Sequence, residues 1–193
     1  MDWRMPALIG YLIGSVSWAV IIGRLTFGID VRRRGSRNAG GANAGRVMGL
    51  GWGVLVAALD VGKGMLATLV GAALVDDFRG GLVAGVAAVV GHIFPVWFGF
   101  MGGKAIAAFA GSCVLAAPQA VIPAACTWVL CFVVSRSVPR ASAVASALLP
   151  VIGFALGFGY EIVLYMAAMG LLICTRHIHD AVWPEKRRSR RLA

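Results

Sequence analysis

From Gly35 to Arg46 the chain reads Gly-Ser-Arg-Asn-Ala-Gly-Gly-Ala-Asn-Ala-Gly-Arg, a segment crowded with groups that handle anions. Gly35, Gly40, Gly41 and Gly45 permit positive φ, so backbone N–H groups can turn toward a phosphate. Ser36, Asn38 and Asn43 add neutral donors, and Arg46 offers a planar fork that matches phosphate or carboxylate. Arg32, Arg33 and Arg34, just upstream, read as a solvated run that meets lipid headgroups. A second turn, Gly102-Gly103-Lys104, can also cradle phosphate. It is not a Walker A loop, because Phe98 stands where that loop needs its first glycine and Ala105 where it needs Ser or Thr.

Other positions carry chemistry with a plainer reading beside it. Asp60 and Lys63 share one helical face inside an apolar run, either as functional groups or as a neutralised pair that pins helix packing. His92, in or near a membrane helix, is a packed hydrogen-bonding group or a ligand. Ser142 follows Arg140 at the start of a span, where a helix N-terminus favours an anion and where serine also acts as a simple cap. His177, in Arg-His-Ile-His-Asp at 176–180, suits proton handling or phosphate binding, or else belongs to an interfacial tail.

The elements that must position these groups are built for lipid. Hydrophobic residues make up 60% of the chain before its 26 glycines are counted, and charged residues only 13%. Soluble domains run at roughly 45–50% with glycine included, and ~25% charged. Apolar stretches lie at about 5–28, 50–75, 80–100, 105–135, 141–158 and 160–175. One crossing takes about 20 residues. The stretch 105–135 is therefore too long for a single helix, and Pro118 and Pro123 around Gln119 mark a turn within it. The expectation is an all-α integral membrane protein: one polytopic helix bundle over 1–193 with about seven transmembrane helices. Five spans with re-entrant pieces is the competing count. The first stretch is too long for the apolar core of a signal peptide and reads as a span. Gly10/Gly14, Gly81/Gly85 and Gly153/Gly157 predict close helix packing. Cys113, Cys126, Cys131 and Cys174 read as small buried hydrophobes.

The net charge of +10 does not point to nucleic acid, because most of the 18 Lys and Arg sit in short loops between apolar runs and in a tail. With the N-terminus outside, the inner loops hold Arg32, Arg33, Arg34, Arg37 and Arg46, then Lys104, then Arg136 and Arg140. The basic tail over 176–193 is also inside, while Arg4 and Arg79 fall outside among Asp2, Asp76, Asp77 and Glu161. The positive-inside rule therefore puts the N-terminus outside and the C-terminus in the cytoplasm.

Taken in order, Gly-Ser-x-Asn-x-Gly-x-x-Asn-x-x-Arg at 35–46, Leu-Asp-x-x-Lys-Gly at 59–64, Gly-His-x-x-Pro at 91–95, Gly-Gly-Lys at 102–104 and Arg-His at 176–177 closely resemble the bacterial acyl-phosphate:glycerol-3-phosphate acyltransferase (PlsY) family. The resemblance implies a small multi-pass enzyme of the bacterial inner membrane with its active site on the cytoplasmic face. It would use acyl phosphate and glycerol 3-phosphate as substrates in membrane lipid, need no metal or cofactor, and leave room for a functional link to an acyl-phosphate-forming enzyme. On this resemblance Ser36, Arg46, Lys104, Ser142 and His177 are catalytic. Asn38, Gly40, Asn43, Gly102, Gly103 and Asp180 bind substrate, and Asp60, Lys63 and His92 support them. Met101, Ala105, His179 and Asp180 depart from the family pattern. They keep a catalytically impaired relative with a regulatory role as one alternative; a small-anion transporter is the other.

Overall fold

The computed structural model describes residues 2–182, with side chains as far as His177. Among the described residues the chain is helical throughout: α1 (Arg4–Gly14), α2 (Trp18–Phe27), α3 (Gly41–Met48), α4 (Leu50–Val75), α5 (Phe78–Ile93), α6 (Ile106–Ala116), α7 (Pro118–Ser135), α8 (Val138–Ala155) and α9 (Tyr160–Val182). Short 3-10 turns at Val31–Arg33 and Val96–Phe98 shape two of the loops. The chain divides into two compact units, one ending at Ala116 and the other starting at Ala117.

Five segments among the described residues are long and apolar enough to cross a membrane: Arg4–Phe27, Leu50–Val75, Phe78–Phe98, Pro118–Ser135 and Val138–Ala155. Seven segments were expected, and among the described residues two of them are not in this set. The stretch 105–135 does divide, at Ala117 with Pro118 opening α7, while Pro123 stays inside that helix. The 11-residue α6 left on one side rises only about 16 Å, roughly half the hydrocarbon layer. The final helix, α9 (Tyr160–Val182), continues past the last described side chain and is not among the five.

In the first unit α4 is the central helix, packed on α1, α3, α5 and α6. Glycines set its approaches. A Cβ on Gly64 would run into the backbone of Ala108, and one on Gly111 into the backbone of Val61, so α4 and α6 cross with almost no side chain between them. Thr68 and Ser112 share a buried 2.7 Å hydrogen bond across the same crossing. Gly10 and Gly14 meet the backbones of Ala84 and Ala88 on α5, as the spacing predicted. Gly81 lies against Thr68, and Gly85 against Ser112 and Thr68.

The first span is broken rather than continuous. Ser15, Val16 and Ser17 interrupt the helix between α1 and α2, leaving backbone groups that lipid cannot satisfy. Lys63 on α4 donates to the Val16 carbonyl at 2.6 Å. Tyr11 donates to the Phe94 carbonyl at 2.8 Å, tying the end of α5 to the same region.

In the second unit α8 packs against both α7 and α9. Gly153 faces Met166 on α9, but Gly157 does not pack at all. It sits just past α8 at φ 74°, where its freedom closes the turn. The four cysteines are free; Cys113 is buried, whereas Cys126 is exposed rather than buried.

Candidate active site

Two loops of the first unit carry most of the residues expected to handle phosphate, and each is held by groups of its own. The loop after α2 is anchored first by burial: Val31 and Ala39 enter a core with Ala19, Val20, Ala44, Met48 and Val56. Asn43 then organises it from the first turns of α3. Its fully buried side chain accepts the Ser36 N–H at 2.7 Å and donates to the carbonyls of Val31, Asn38 and Arg34 at 2.8, 3.0 and 3.1 Å. The amide is fully occupied inside the loop. This corrects the sequence expectation that Asn43 offers a donor to phosphate; it shapes the turn that presents Ser36.

The glycines of this loop also divide by role, contrary to the expectation of four flexible positions. Only Gly35 has positive φ, at 57°. Gly40 is extended and precedes α3, while Gly41 and Gly45 are helical and lie against Gly53 on α4. Their purpose is close helix approach. What remains for an anion is the N-terminus of α3, with Ser36 and Asn38 half-buried beside it and Arg46 exposed in its last turn.

In the second loop, the paired glycines are not a nest of open N–H groups either. Gly102 N–H donates to the Ile93 carbonyl at 3.2 Å and Gly103 N–H to the His92 carbonyl at 3.0 Å, so the chain doubles back on the end of α5. A Cβ on Gly103 would collide with the His92 imidazole and come within 3.0 Å of the Ala39 carbonyl. The glycines are there because the two loops and His92 pass so close. Lys104 follows, half-buried, and Ala105 adopts φ 63° just before α6.

Beneath these loops lies a buried polar line. Asp60 Oδ1 is 3.0 Å from Lys63 Nζ and 3.6 Å from His92 Nδ1, and all three side chains are almost wholly covered. The line therefore runs from the broken first span through Lys63, Asp60 and His92 to Gly103. Sequence left Asp60 and Lys63 open between function and packing, and His92 between packing and ligation. Their geometry makes them the support under the second loop.

Arg32 corrects a second expectation. It does not lie in a solvated run: its side chain is 13% exposed, against a partner, Asp30, at 12%. Asp30 takes Arg32 Nε at 3.0 Å, Arg32 Nη2 at 2.8 Å and Arg24 Nη2 at 2.9 Å. The Arg32 hydrogen bond, with help from Arg24, holds the Asp30 carboxyl well below the ordinary carboxylate range, and the same pairing raises Arg32. Sequence reading missed Asp30, whose signal was an acid two residues before one of three consecutive arginines.

In the second unit Ser142 is buried on α8 and accepts the Trp128 indole N–H at 3.0 Å. Ser137, not Ser142, occupies the N-cap position, so Ser142 is not a cap. His177 is buried on α9, the helix that packs on α8. The expected contact of Asp180 and the basic tail beyond it lie outside the described side chains.

A family model for glycerol-3-phosphate acyltransferase matches residues 5–182. The chain is 36% identical over 178 residues to the glycerol-3-phosphate acyltransferase of Pseudomonas fluorescens, covering 92% of each. It is 37% identical over 172 residues to glycerol-3-phosphate acyltransferase 2 of Moorella thermoacetica, covering 86% of each. The chain belongs to the glycerol-3-phosphate acyltransferase family. Its fold matches the crystal structure of PlsY (YgiH), an integral membrane glycerol 3-phosphate acyltransferase, in the glycerol 3-phosphate form. The TM-score is 0.86 at 30% identity, over 96% of this chain and 93% of that one. The lysophosphatidic acid form matches at 0.84.

Proposed function

We propose that the chain transfers a fatty acyl group from acyl phosphate to a hydroxyl of glycerol 3-phosphate, giving 1-acyl-glycerol 3-phosphate for phospholipid synthesis. The observation that carries this reading is family membership joined to a fold shared, over nearly the whole chain, with structures in glycerol 3-phosphate and lysophosphatidic acid forms.

Acyl phosphate is a mixed anhydride with a good leaving group, so orientation and charge stabilisation supply most of the catalysis. The glycerol hydroxyl attacks the acyl carbonyl carbon, the bond from that carbon to the phosphate oxygen breaks, and the hydroxyl proton is passed on as inorganic phosphate departs. Arg46 and Lys104 hold phosphate charge, and Ser36, Asn38 and the backbone at Gly40 orient it. Asn43, Gly102 and Gly103 act by shaping the two loops. As the family resemblance implies, Ser142 would orient substrate and His177 would bind phosphate or transfer a proton.

The same reading puts the N-terminus outside and the reaction on the cytoplasmic face. The loops holding Arg32 to Arg37, Lys104, and Arg136 with Arg140 would then share that side, with Asp76 and Asp77 opposite. The donor's chemistry calls for an acyl-phosphate-forming enzyme upstream. The test is direct: purified, folded protein receives acyl phosphate and labelled glycerol 3-phosphate. Labelled lysophosphatidate is expected, and its absence sinks the enzymatic reading. Labelling of single cysteines placed in the 28–40 loop, from either side of sealed vesicles, checks the orientation.

A further inference from the structure

Three consecutive arginines, Arg32 to Arg34, are chemically equivalent in the sequence but not in the fold. The 3-10 turn Val31–Arg33 is capped by Asp30, whose carboxylate accepts the Arg32 N–H at 3.0 Å and thereby turns the Arg32 side chain inward. Arg33 and Arg34 stay exposed. The Arg32 guanidinium then uses both of its edges. One edge grips Asp30 through Nε and Nη2, at 3.0 and 2.8 Å. From the other, Nη1 donates to the carbonyls of Phe98 and Met101 at 2.6 and 3.2 Å. Those carbonyls belong to the loop that ends in Gly102-Gly103-Lys104.

We propose that Asp30 and Arg32 form a positioning latch that fixes the Lys104 loop against the Ser36 loop, and so sets the relation between the two phosphate-handling segments. The inference rests on the acyltransferase reading for its kinetic consequence, but the latch itself is a geometric claim. Both segments leave the helices as irregular chain, and the buried Asp60–Lys63–His92 line supports the second loop only at its Gly103 end. Its outer half, from Val96 to Met101, projects apolar side chains outward: Trp97, Phe100 and Met101 are more than half exposed. Phe98 packs against the core under the first loop, Val96 N–H lies 3.4 Å from Ser15 Oγ and Trp97 makes a long 3.5 Å contact to Leu12. Arg32 adds the two hydrogen bonds that tie the backbone of this half to the first loop. Phe100 adds to the need, since it sits at φ 58°, a conformation a non-glycine residue holds only when its surroundings enforce it.

The choice of arginine follows from the same geometry. A guanidinium presents N–H donors on two edges in a fixed plane and can serve a carboxylate and two carbonyls at once; an ammonium is a point donor that cannot span them. Arg32→Lys should therefore behave as a loss, not as a conservative change. Arg24, which reaches Asp30 from the end of α2 but is more than half exposed, contributes to the carboxylate without touching the second loop.

The test has two arms. In the kinetic arm, Arg32→Gln, Arg32→Lys and Asp30→Asn are compared with Arg33→Gln and Arg34→Gln in the acyl-transfer assay. A displacement of the order of 1 Å costs up to about a hundredfold in rate. The expected result is a fall of roughly tenfold or more in kcat/KM for the Arg32 and Asp30 variants. KM for glycerol 3-phosphate should rise, and Arg33→Gln and Arg34→Gln should stay within about twofold of the parent. An Arg32→Gln enzyme that only melts earlier, with unchanged kcat and KM below its melting point, overturns the proposal, as does parity among the three arginines. The structural arm needs no activity. Spin labels at Arg33→Cys and Met101→Cys, with the native cysteines replaced by alanine, should give one narrow distance distribution that broadens on Arg32→Gln. A distribution equally narrow in both refutes the latch while leaving the acyltransferase reading intact. A latch that behaves as described in protein making no lysophosphatidate refutes that reading instead.

Discussion

The His92 imidazole fills the space that any side chain on Gly103 would need, with the Ala39 carbonyl closing the other side at 3.0 Å from where a Cβ would stand. One histidine at the end of α5 thus dictates a glycine eleven residues later and brings the first loop into the same contact. His92 is itself held by Asp60, so the position of the lysine loop is referred back to the middle of α4. Gly103→Ala is expected to cost about 1–3 kcal/mol of stability through forced displacement of backbone or imidazole, and to lower kcat/KM because Lys104 moves with its neighbour. Combining it with His92→Ala should recover part of the melting temperature. If Gly103→Ala alone melts and turns over like the parent, the packing described for His92 is wrong.

Asp60 and Lys63 offer a sharper test, because burying one ion without the other is what costs most. Lys63→Met leaves the Asp60 carboxylate uncompensated and frees the Val16 carbonyl at the break of the first span. A loss of ~3–5 kcal/mol is expected. Asp60→Asn with Lys63→Met together should regain most of that loss and most of the acyl-transfer rate. A double variant that is stable but inactive would instead make the pair part of the chemistry. Thermal unfolding in detergent and the lysophosphatidate assay, run on the same samples, separate the two.

Ala105, just after Lys104, is buried at φ 63°. The left-handed region costs an L-residue about 1–2 kcal/mol, of which the greater unfolded-state entropy of glycine returns a part. Ala105→Gly should therefore stabilise the protein by about 1 kcal/mol or less and raise its melting temperature by roughly 2 °C. Activity should hold or rise, since Lys104 is the adjacent residue. A lower melting temperature would mean that the methyl group contributes packing worth more than the strain.

Much of the architecture was legible in the sequence, because lipid imposes long apolar runs with simple ends. The stretch read at 50–75 is helix α4, Leu50–Val75, and the turn expected near Pro118 is the start of α7. Burial inside the site was not legible. Gly102 and Gly103 have the composition of a phosphate nest, yet their N–H groups are taken by the carbonyls of residues 93 and 92. Asn43 has the composition of a ligand, yet it is spent on its own loop. Arg32 is indistinguishable from Arg33 and Arg34 until the 3-10 turn points it at Asp30. Residue type states what a group can bind; only the fold states which partner has already taken it.

Asp30 also sets a pH dependence whose sign can be worked out. Its carboxyl is held below the ordinary range mainly by the Arg32 hydrogen bond. A group with a lowered folded-state pKa contributes its full stability above the unfolded-state value, about 4, and loses it as the pH falls toward the folded-state value. The stability gap between the parent and Asp30→Asn should thus be constant from neutral pH down to about pH 4 and narrow below it. A gap that already closes near pH 6, in melting experiments at matched ionic strength, would show that Asp30 is not bound as described.

The Trp128 indole and Ser142 provide the corresponding test in the second unit. The indole N–H can only donate, so the Ser142 oxygen accepts from it and the serine proton is directed elsewhere. Trp128→Phe keeps most of the ring but removes the donor, and Ser142→Ala removes acceptor and hydroxyl together. If the hydroxyl proton is what the reaction uses, Ser142→Ala should lower kcat far more than Trp128→Phe. Each should cost only about 1 kcal/mol of stability, the net worth of one hydrogen bond. Ser142→Thr, which restores a hydroxyl, should recover part of the rate. Equal small effects from all three variants on kcat, measured with both substrates saturating, would reduce Ser142 to a packing contact of α7 and α8.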